Sequence, residues 1–293
     1  MLRVMFFGTS SSYSAAHLNT LAGAHRVVGV FCAAGRGARG VAGRILRTTG
    51  LLNDPCGTVA RAHGVPRWFV DRDASAAADR ITALRPDIIC VAGYPWLLPP
   101  SIWTRPPLGA VNSHPSLLPR HRGVLPLFWV YYHDDRQTGV TVHRISGHAD
   151  SGAILEQDAY PLARGLEVDR LNALNTERGA AAMARALGSL AEGSSCDIPQ
   201  NSAAATCAPF VRAGTPMVDF SWDVERVWHF LSGLFPWFTE PLRDADGDRI
   251  AYAGVLGYER TSHDRVAGSV SGADKERHLF CRGGLVRLAT RRR

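Results

Sequence analysis

The chain has 293 residues, 46% of them hydrophobic and 20% charged, a composition typical of a globular protein with one large and one small domain. Its net charge of +7 comes almost wholly from arginine, since Lys275 is the only lysine. No apolar run approaches the ~20 residues of a membrane span. The strand predicted from Leu2 leaves no charged region for a signal peptide. The six cysteines show no Cys-x-x-Cys spacing, so we predict a cytoplasmic protein with reduced thiols, without a metal site or a membrane partner.

The first predicted elements are an apolar strand over 2–7, a helix over 14–21 and a second strand over 26–32. Their order is typical of a Rossmann-like α/β sheet. Because Gly-x-Gly-x-x-Gly is missing, no dinucleotide is predicted. The following segment, 33–54, is rich in Gly and Arg. It is either a basic loop that meets a phosphate-bearing acceptor or a solvated insertion.

A helix over 74–84 and a buried strand over 86–91 follow, and then a strand ending in Gly109-Ala110-Val111-Asn112. Asn112 and His114 lie two residues apart, so on extended chain they point the same way. Pro115 favours extended geometry at His114. A polar pair is thus expected at the carboxyl end of a strand, where open α/β sheets bind ligands.

Another strand, over 138–145, leads into a loop that contains Asp150 and turns at Gly152. Asn112, His114 and Asp150 suit acyl transfer to an amine. An amide N–H that stabilises a developing oxyanion contributes ~10²–10³ in rate, and general acid–base help contributes roughly 10²–10⁴. Taken singly, Asn112 is compatible with a turn residue, His114 with an ordinary hydrogen-bonded histidine and Asp150 with the cap of a helix beginning near residue 151.

The remaining predicted elements are an aromatic helix over 126–132 and a long helix over 169–191. A linker is expected over 194–217, followed by a helix from Asp219 and short strands. We therefore predict a catalytic domain over 1–193 and a small β-rich domain over 218–293. Histidines other than His114 and His148, including His143, are expected to be structural or on the surface.

The central stretch resembles the folate-dependent formyltransferases, which use 10-formyltetrahydrofolate. The match is carried in order and at the family's spacing by five short motifs: Asn112-Ser113-His114, Ser116-Leu117-Leu118-Pro119, Arg122-Gly123, Thr138-Gly139-Val140-Thr141 and Asp150-Ser151-Gly152. The resemblance implies that Asn112 and His114 hold the formyl oxygen and that Asp150 assists proton transfer from the amine. It also implies a Rossmann-like N-terminal formyltransferase domain and an OB-like C-terminal domain.

The same resemblance implies a folate pocket with two walls. One is lined by Trp96, Leu97 and Leu98, and the other by residues of the catalytic loop: Ile145, Ser146 and His148. Core packing is the alternative for the first wall.

Three hypotheses follow about the reaction. The preferred one is formylation of a small-molecule amine, such as an amino sugar nucleotide or a secondary-metabolite intermediate, because Phe128 and Trp129 in the aromatic helix resemble the metabolite-modifying relatives. The second is methionyl-tRNA formylation, which the basic loop favours. The third is a non-catalytic folate- or nucleotide-binding module. An exposed apolar face in the second domain would allow a homodimer.

Overall fold

A computed structural model describes residues 1–33, 54–72, 74–211, 218–235, 242–272 and 275–290. The Arg- and Gly-rich segment predicted as a loop over 33–54 therefore lies outside the described residues, except for its two ends. Within these ranges, no helix has both the length and the apolar character needed to cross a bilayer. The chain divides into a first unit of residues 1–126, 138–160 and 173–208, and a second unit of residues 127–137, 161–172 and 209–293.

The first unit contains a seven-stranded sheet in the order β3-β2-β1-β4-β5-β7-β8. Its strands are β1 (Arg3–Gly8), β2 (Arg26–Ala33), β3 (Arg67–Val70), β4 (Ile88–Ala92), β5 (Ala110–His114), β7 (Gln137–Arg144) and β8 (Ile154–Pro161). The first five pair in parallel, and β7 pairs antiparallel with β5. The predicted Rossmann-like α/β sheet is confirmed.

The helices are α1 (Ser12–Ala24), α2 (Pro55–Ala62), α3 (Ala78–Leu84), α4 (Pro100–Trp103), α5 (Pro126–Tyr132), α6 (Val168–Glu192) and α7 (Val224–Leu234). A 3-10 turn over Ala74–Ala77 replaces the first turn of the helix predicted from residue 74. The helix predicted from Asp219 begins five residues later, after Asp223 caps it by accepting the Glu225 N–H.

Apolar strands explain why the sheet forms the core. β1 and β4 are almost entirely buried, and their side chains alternate between two clusters on opposite faces of the sheet. The strand β8 was not predicted, because its residues are mostly half-buried or exposed and include two acidic side chains, Glu156 and Asp158. No apolar run marks such a strand at the edge of a sheet.

Gly139, in the Thr-Gly-Val-Thr motif, is explained by a close approach between strands. A Cβ at this position would lie 2.1 Å from the Asp158 carbonyl oxygen of β8 and 2.6 Å from Leu117 Cδ2. Only glycine leaves room for both neighbours.

The second unit contains a four-stranded antiparallel sheet in the order β10-β13-β12-β11. Its strands are β10 (Gly254–Arg260), β11 (Val270–Ser271), β12 (Glu276–Cys281) and β13 (Gly284–Ala289). A small β-rich region is thus present, and its OB-like identity stays a prediction. Helix α5, at residues 127–132, and residues 161–172 also belong to this unit, although the sequence assigned them to the catalytic domain.

The segment predicted as a linker over 194–217 is partly paired with the first unit. Two short strands, β6 (Arg122–Gly123) and β9 (Cys207–Ala208), are parallel neighbours, and Ile198 bridges Ile154. This pairing was missed because polar and small residues dominate the segment.

Candidate active site

Asn112 and His114 lie on β5 and point to the same side of the strand, as their spacing predicts. Asn112 pairs across the antiparallel β5–β7 ladder with His143. The Asn112 Nδ2 and His143 Nε2 atoms are 3.2 Å apart. The register of two strands therefore adds a second imidazole to the predicted pair.

The loop after β7 carries Asp150 into contact with all three side chains. One carboxylate oxygen, Oδ1, lies 3.4 Å from Asn112 Nδ2 and 3.3 Å from His143 Nε2. The other, Oδ2, lies 3.6 Å from His114 Nδ1. The structure thus brings the three predicted catalytic side chains into one cluster.

The loop geometry differs from the predicted turn at Gly152. Asp150 itself has the left-handed φ of +50°. Gly152 is explained by a close approach instead, because a Cβ there would lie 1.9 Å from the Arg144 carbonyl oxygen.

Backbone groups determine which imidazole nitrogens carry protons. His114 Nε2 lies 2.8 Å from the His121 carbonyl oxygen, and His143 Nδ1 lies 2.8 Å from the Arg144 carbonyl oxygen. A carbonyl only accepts hydrogen bonds, so these two nitrogens are the donors. The remaining nitrogen of each ring faces Asp150.

Burial lowers the pKa of His114, against the opposing attraction of Asp150. Burial alone would raise the pKa of Asp150, but His114, His143 and the Gly123 N–H, 3.0 Å from Oδ2, together hold it well below its usual range. The Gly123 N–H favours the carboxylate whether or not His114 carries a proton. The two pKa shifts thus favour the neutral form of His114 and the ionised form of Asp150.

Gln200 holds the Asp150 loop from outside the cluster. Its Nε2 donates to the carbonyl oxygens of Asp150, at 2.9 Å, and Gly152, at 2.7 Å. Its Oε1 accepts from Nε and Nη2 of Arg122 at 3.0 and 2.7 Å. We name this arrangement, Arg122 and Gln200, the loop clamp.

Sequence reasoning missed two of these residues. His143 was assigned to structural or surface histidines, and Gln200 to a linker. The alternation of Thr141 and His143 on one face of β7 was the available signal for the histidine. Nothing local marks Gln200, because its partner carbonyls lie about fifty residues earlier in the chain.

The loop after His114 is fixed by Thr141. Its Oγ1 donates to the Ser116 carbonyl oxygen at 2.7 Å and accepts the Leu118 N–H at 3.1 Å. Gln157 donates to the Leu118 carbonyl oxygen at 2.9 Å, and the Leu118–Pro119 peptide bond is cis. The Ser-Leu-Leu-Pro and Thr-Gly-Val-Thr motifs are thus one hydrogen-bonded structure.

The predicted first wall of the folate pocket is mixed in character. Leu97 is 70% exposed, whereas Leu98 is buried in the core cluster that also contains Val91. Trp96 is half-buried, with its ring 5.6 Å from that of Tyr94 in an edge-on arrangement. Leu98 is therefore a core residue, and Trp96 and Leu97 are the accessible members of this wall.

The predicted second wall lies beside the carboxylate loop. Ile145 packs against the same core cluster as Leu98. Ser146 Oγ lies 2.9 Å from Ser151 Oγ, and the His148 side chain is exposed. Ile145 and Leu98 thus share one apolar cluster, while Ser146 and His148 belong to the hydrophilic turn that precedes Asp150.

No group of three or more potential metal ligands occurs among the residues that the structure describes. The chemistry of the cluster is that of hydrogen-bond donors, one neutral imidazole with a free nitrogen and one carboxylate. Such groups stabilise an oxyanion and move a proton during acyl transfer.

Residues 2–187 match the family model described as formyl transferase. The chain belongs to the formyl transferase family. This confirms the resemblance to the formyltransferases and, with it, the enzyme class. The hypothesis of a non-catalytic binding module is set aside.

Two relatives of this formyltransferase are both methionyl-tRNA formyltransferases. That of Synechococcus sp. strain JA-3-3Ab is 33% identical over 238 residues, 77% of this chain and 68% of the relative. That of Halalkalibacterium halodurans is 32% identical over 188 residues, 64% of this chain and 59% of the relative. The second match thus spans less than two thirds of the relative's length.

A solved structure shows the same fold over the whole length of this formyltransferase. The N-formyltransferase from Helicobacter canadensis, in complex with folinic acid and dTDP-3-aminofucose, superposes with a TM-score of 0.69 at 12% identity and covers 99% of both chains. At this identity the likeness concerns the fold.

Proposed function

We propose that this chain transfers the formyl group of 10-formyltetrahydrofolate to the amine of methionyl-tRNA, and that Asn112, His114 and Asp150 act on the reacting atoms. The observation that carries the proposal is a carboxylate within 3.6 Å of two imidazoles and an amide, in a chain of the formyl transferase family. The amine is the nucleophile, so no Ser or Cys nucleophile is needed.

The residues divide the chemistry between them. As the amine nitrogen bonds to the formyl carbon, the Asn112 amide donates to the developing oxyanion. Asp150 assists transfer of the amine proton to His114 Nδ1, and the resulting Nδ1–H donates to the oxyanion, which together with Asp150 favours the protonated imidazole. As the oxyanion collapses, the bond between the formyl carbon and the folate nitrogen breaks, and the folate nitrogen takes up this proton from His114.

Trp96 and Leu97 are proposed to contact the pterin from one side, and Ser146 and His148 from the other. The support is that Leu97 and His148 are exposed and Trp96 and Ser146 are only half-buried, next to the buried Leu98 and the half-buried Ile145. This assignment keeps the predicted pocket but gives Leu98 a supporting role.

The acceptor follows from the relatives rather than from the aromatic helix. Phe128 is buried and packs edge-on against Phe230, with ring centroids 5.7 Å apart. Trp129 donates its Nε1–H to the Pro209 carbonyl oxygen at 2.9 Å. Both rings have structural roles, so the aromatic helix no longer favours a small-molecule acceptor, and the rather short second domain is the remaining argument for one. The methionyl-tRNA formyltransferases among the relatives support the tRNA acceptor.

The test is a transfer assay with 10-formyltetrahydrofolate and two acceptors, methionyl-tRNA and an amino sugar nucleotide. We expect formylated methionyl-tRNA, detected by the mass of one added formyl group. Acceptor KM should rise steeply with salt, because phosphate contacts release counterions. Formylation of the sugar nucleotide alone, with a KM insensitive to salt, would assign the acceptor to a small molecule.

A further inference from the structure

A cavity of about 480 Å³ lies within the second unit, beside the first turn of α7. Its charged lining consists of five arginines and three carboxylates, which are Asp134, Asp223 and Glu225. With every group ionised, the arginines exceed the carboxylates by two positive charges. The volume lies within the range of small-molecule sites, about 300–1,000 Å³.

Three of the arginines are ion-paired with these carboxylates: Arg136, Arg164 and Arg260. Arg164 Nε donates to Glu225 at 3.0 Å and its Nη1 contacts Asp134. Arg260 donates to Asp223 at 3.1 Å and to Glu225 at 2.9 Å. The hydrogen bond from Arg260 lowers the pKa of Glu225, so this carboxylate stays ionised and paired.

Arg226 is one of two lining arginines that have no carboxylate within ion-pair distance among the described residues. Its guanidinium lies 4.0 Å above the Trp222 ring, and Nη2 donates to the Tyr132 carbonyl oxygen at 2.8 Å. These contacts and the attraction of Asp219 hold the guanidinium in place.

Arg282 is the other lining arginine without a carboxylate within ion-pair distance. Its side chain is exposed and is attracted by Asp223, which itself pairs with Arg260. Its backbone is fixed, because the Val224 N–H at the start of α7 donates to the Arg282 carbonyl oxygen at 2.9 Å. The backbone of this second arginine is therefore anchored in the lining of the cavity.

We infer that this cavity binds a phosphate-bearing small molecule, such as a nucleoside diphosphate, through Arg226 and Arg282. Two planar guanidinium groups match the oxygens of a phosphate or pyrophosphate bidentately, and their two charges match a dianion. The ion pairs of the other three arginines keep the neighbouring carboxylates from repelling it. This binding site goes beyond the proposed function and does not depend on it.

The test measures binding of inorganic pyrophosphate to the full-length protein by titration calorimetry at low salt. We expect saturable binding that weakens at least tenfold in Arg226→Gln and in Arg282→Gln. Arg243→Gln is the matched control, because Arg243 is an exposed arginine of the same unit outside the cavity. It should bind pyrophosphate as the unmodified protein does. Since Arg226 also packs on Trp222, Arg282→Gln is the variant that decides if Arg226→Gln misfolds.

Two further titrations, with a nucleoside diphosphate and with a short single-stranded RNA, identify the ligand class. Arg282-dependent binding of the nucleoside diphosphate supports the inference. The inference is overturned if the protein does not bind pyrophosphate, or if Arg282→Gln binds pyrophosphate with the same affinity as the unmodified protein. It is also overturned if only the RNA shows binding that depends on Arg282. Because formyl transfer is not measured, none of these outcomes bears on the proposed function.

Discussion

The carboxylate of Asp150 dominates the site at the scale of single residues. Its side chain is only 16% exposed, yet it stays ionised beside two imidazoles and the Gly123 N–H. A hydrogen bond to a charged group contributes about 1.5–3 kcal/mol, which offsets part of the cost of burying the charge. The φ of +50° also suits Asp better than most residues.

Asp150→Asn removes this charge while keeping the shape of the side chain. We expect kcat for formyl transfer to fall by ~10²–10⁴, because proton transfer loses its carboxylate. The affinity for folate should change little. Steady-state kinetics measure kcat, and a titration followed by Trp fluorescence measures the affinity for folate. Asp158→Asn is the control, since Asp158 pairs with Arg178 outside the cluster. Near-normal turnover in folded Asp150→Asn would contradict the assigned role.

At the scale of elements, the loop clamp ties three segments of chain together. Arg122 belongs to β6, Gln200 follows the Ile198–Ile154 bridge, and the two clamped carbonyls flank the end of the Asp150 loop. The same β6 strand supplies the Gly123 N–H that Asp150 accepts. The position of the carboxylate therefore depends partly on Gln200, in a segment whose sequence has no catalytic signature.

Gln200→Ala is expected to lower kcat about tenfold, a loss of ~1.4 kcal/mol in transition-state stabilisation, while KM for folate stays nearly constant. Without the hydrogen bonds from Gln200, the Asp150 loop is less well ordered, and small displacements of reacting groups slow catalysis. Asn201→Ala, at the exposed neighbouring position, should leave kcat unchanged. A rise in folate KM at constant kcat would show that the clamp serves binding instead.

At the scale of the whole molecule, each unit buries a neutral histidine. Burial lowers the pKa of His17, in the first unit, to about 4, and that of His229, in the second, to about 4. His17 is held by the Tyr13 carbonyl oxygen and Ser113 Oγ, both 2.9 Å away. In the unfolded chain both imidazoles take up a proton near pH 6.5. Acidification below that pH therefore favours unfolding in both units.

The free energy of unfolding should therefore fall as the pH drops from about 6.5 to 4. A pKa difference of one unit corresponds to ~1.4 kcal/mol, so the lowered pKa of His17 alone accounts for a loss of roughly 3 kcal/mol in the free energy of unfolding. His17→Gln should reduce the pH dependence, which urea titrations at neutral and acidic pH, followed by circular dichroism, would measure. His148→Gln should leave the pH dependence unchanged, because the His148 side chain is exposed. An unchanged pH dependence in His17→Gln would mean that His17 is not the group that titrates.

The parallel part of the sheet and the main catalytic candidates could be predicted from the sequence. Apolar runs marked β1, β2 and β4, since a strand covered on both faces needs them. The two-residue spacing of Asn112 and His114 determined their common direction. The motif order supplied Asp150 and the formyl transferase family, which the comparison with known proteins confirmed.

Only the tertiary structure decided which other groups complete the site. His143 faces Asn112 because of the antiparallel register between β5 and β7, and Gln200 reaches the Asp150 loop from a distant segment. The second unit likewise gathers its arginine cavity from three separate stretches of chain. Local patterns report periodicity and turns, whereas such pairings depend on how whole elements pack, so no short stretch of sequence contains them.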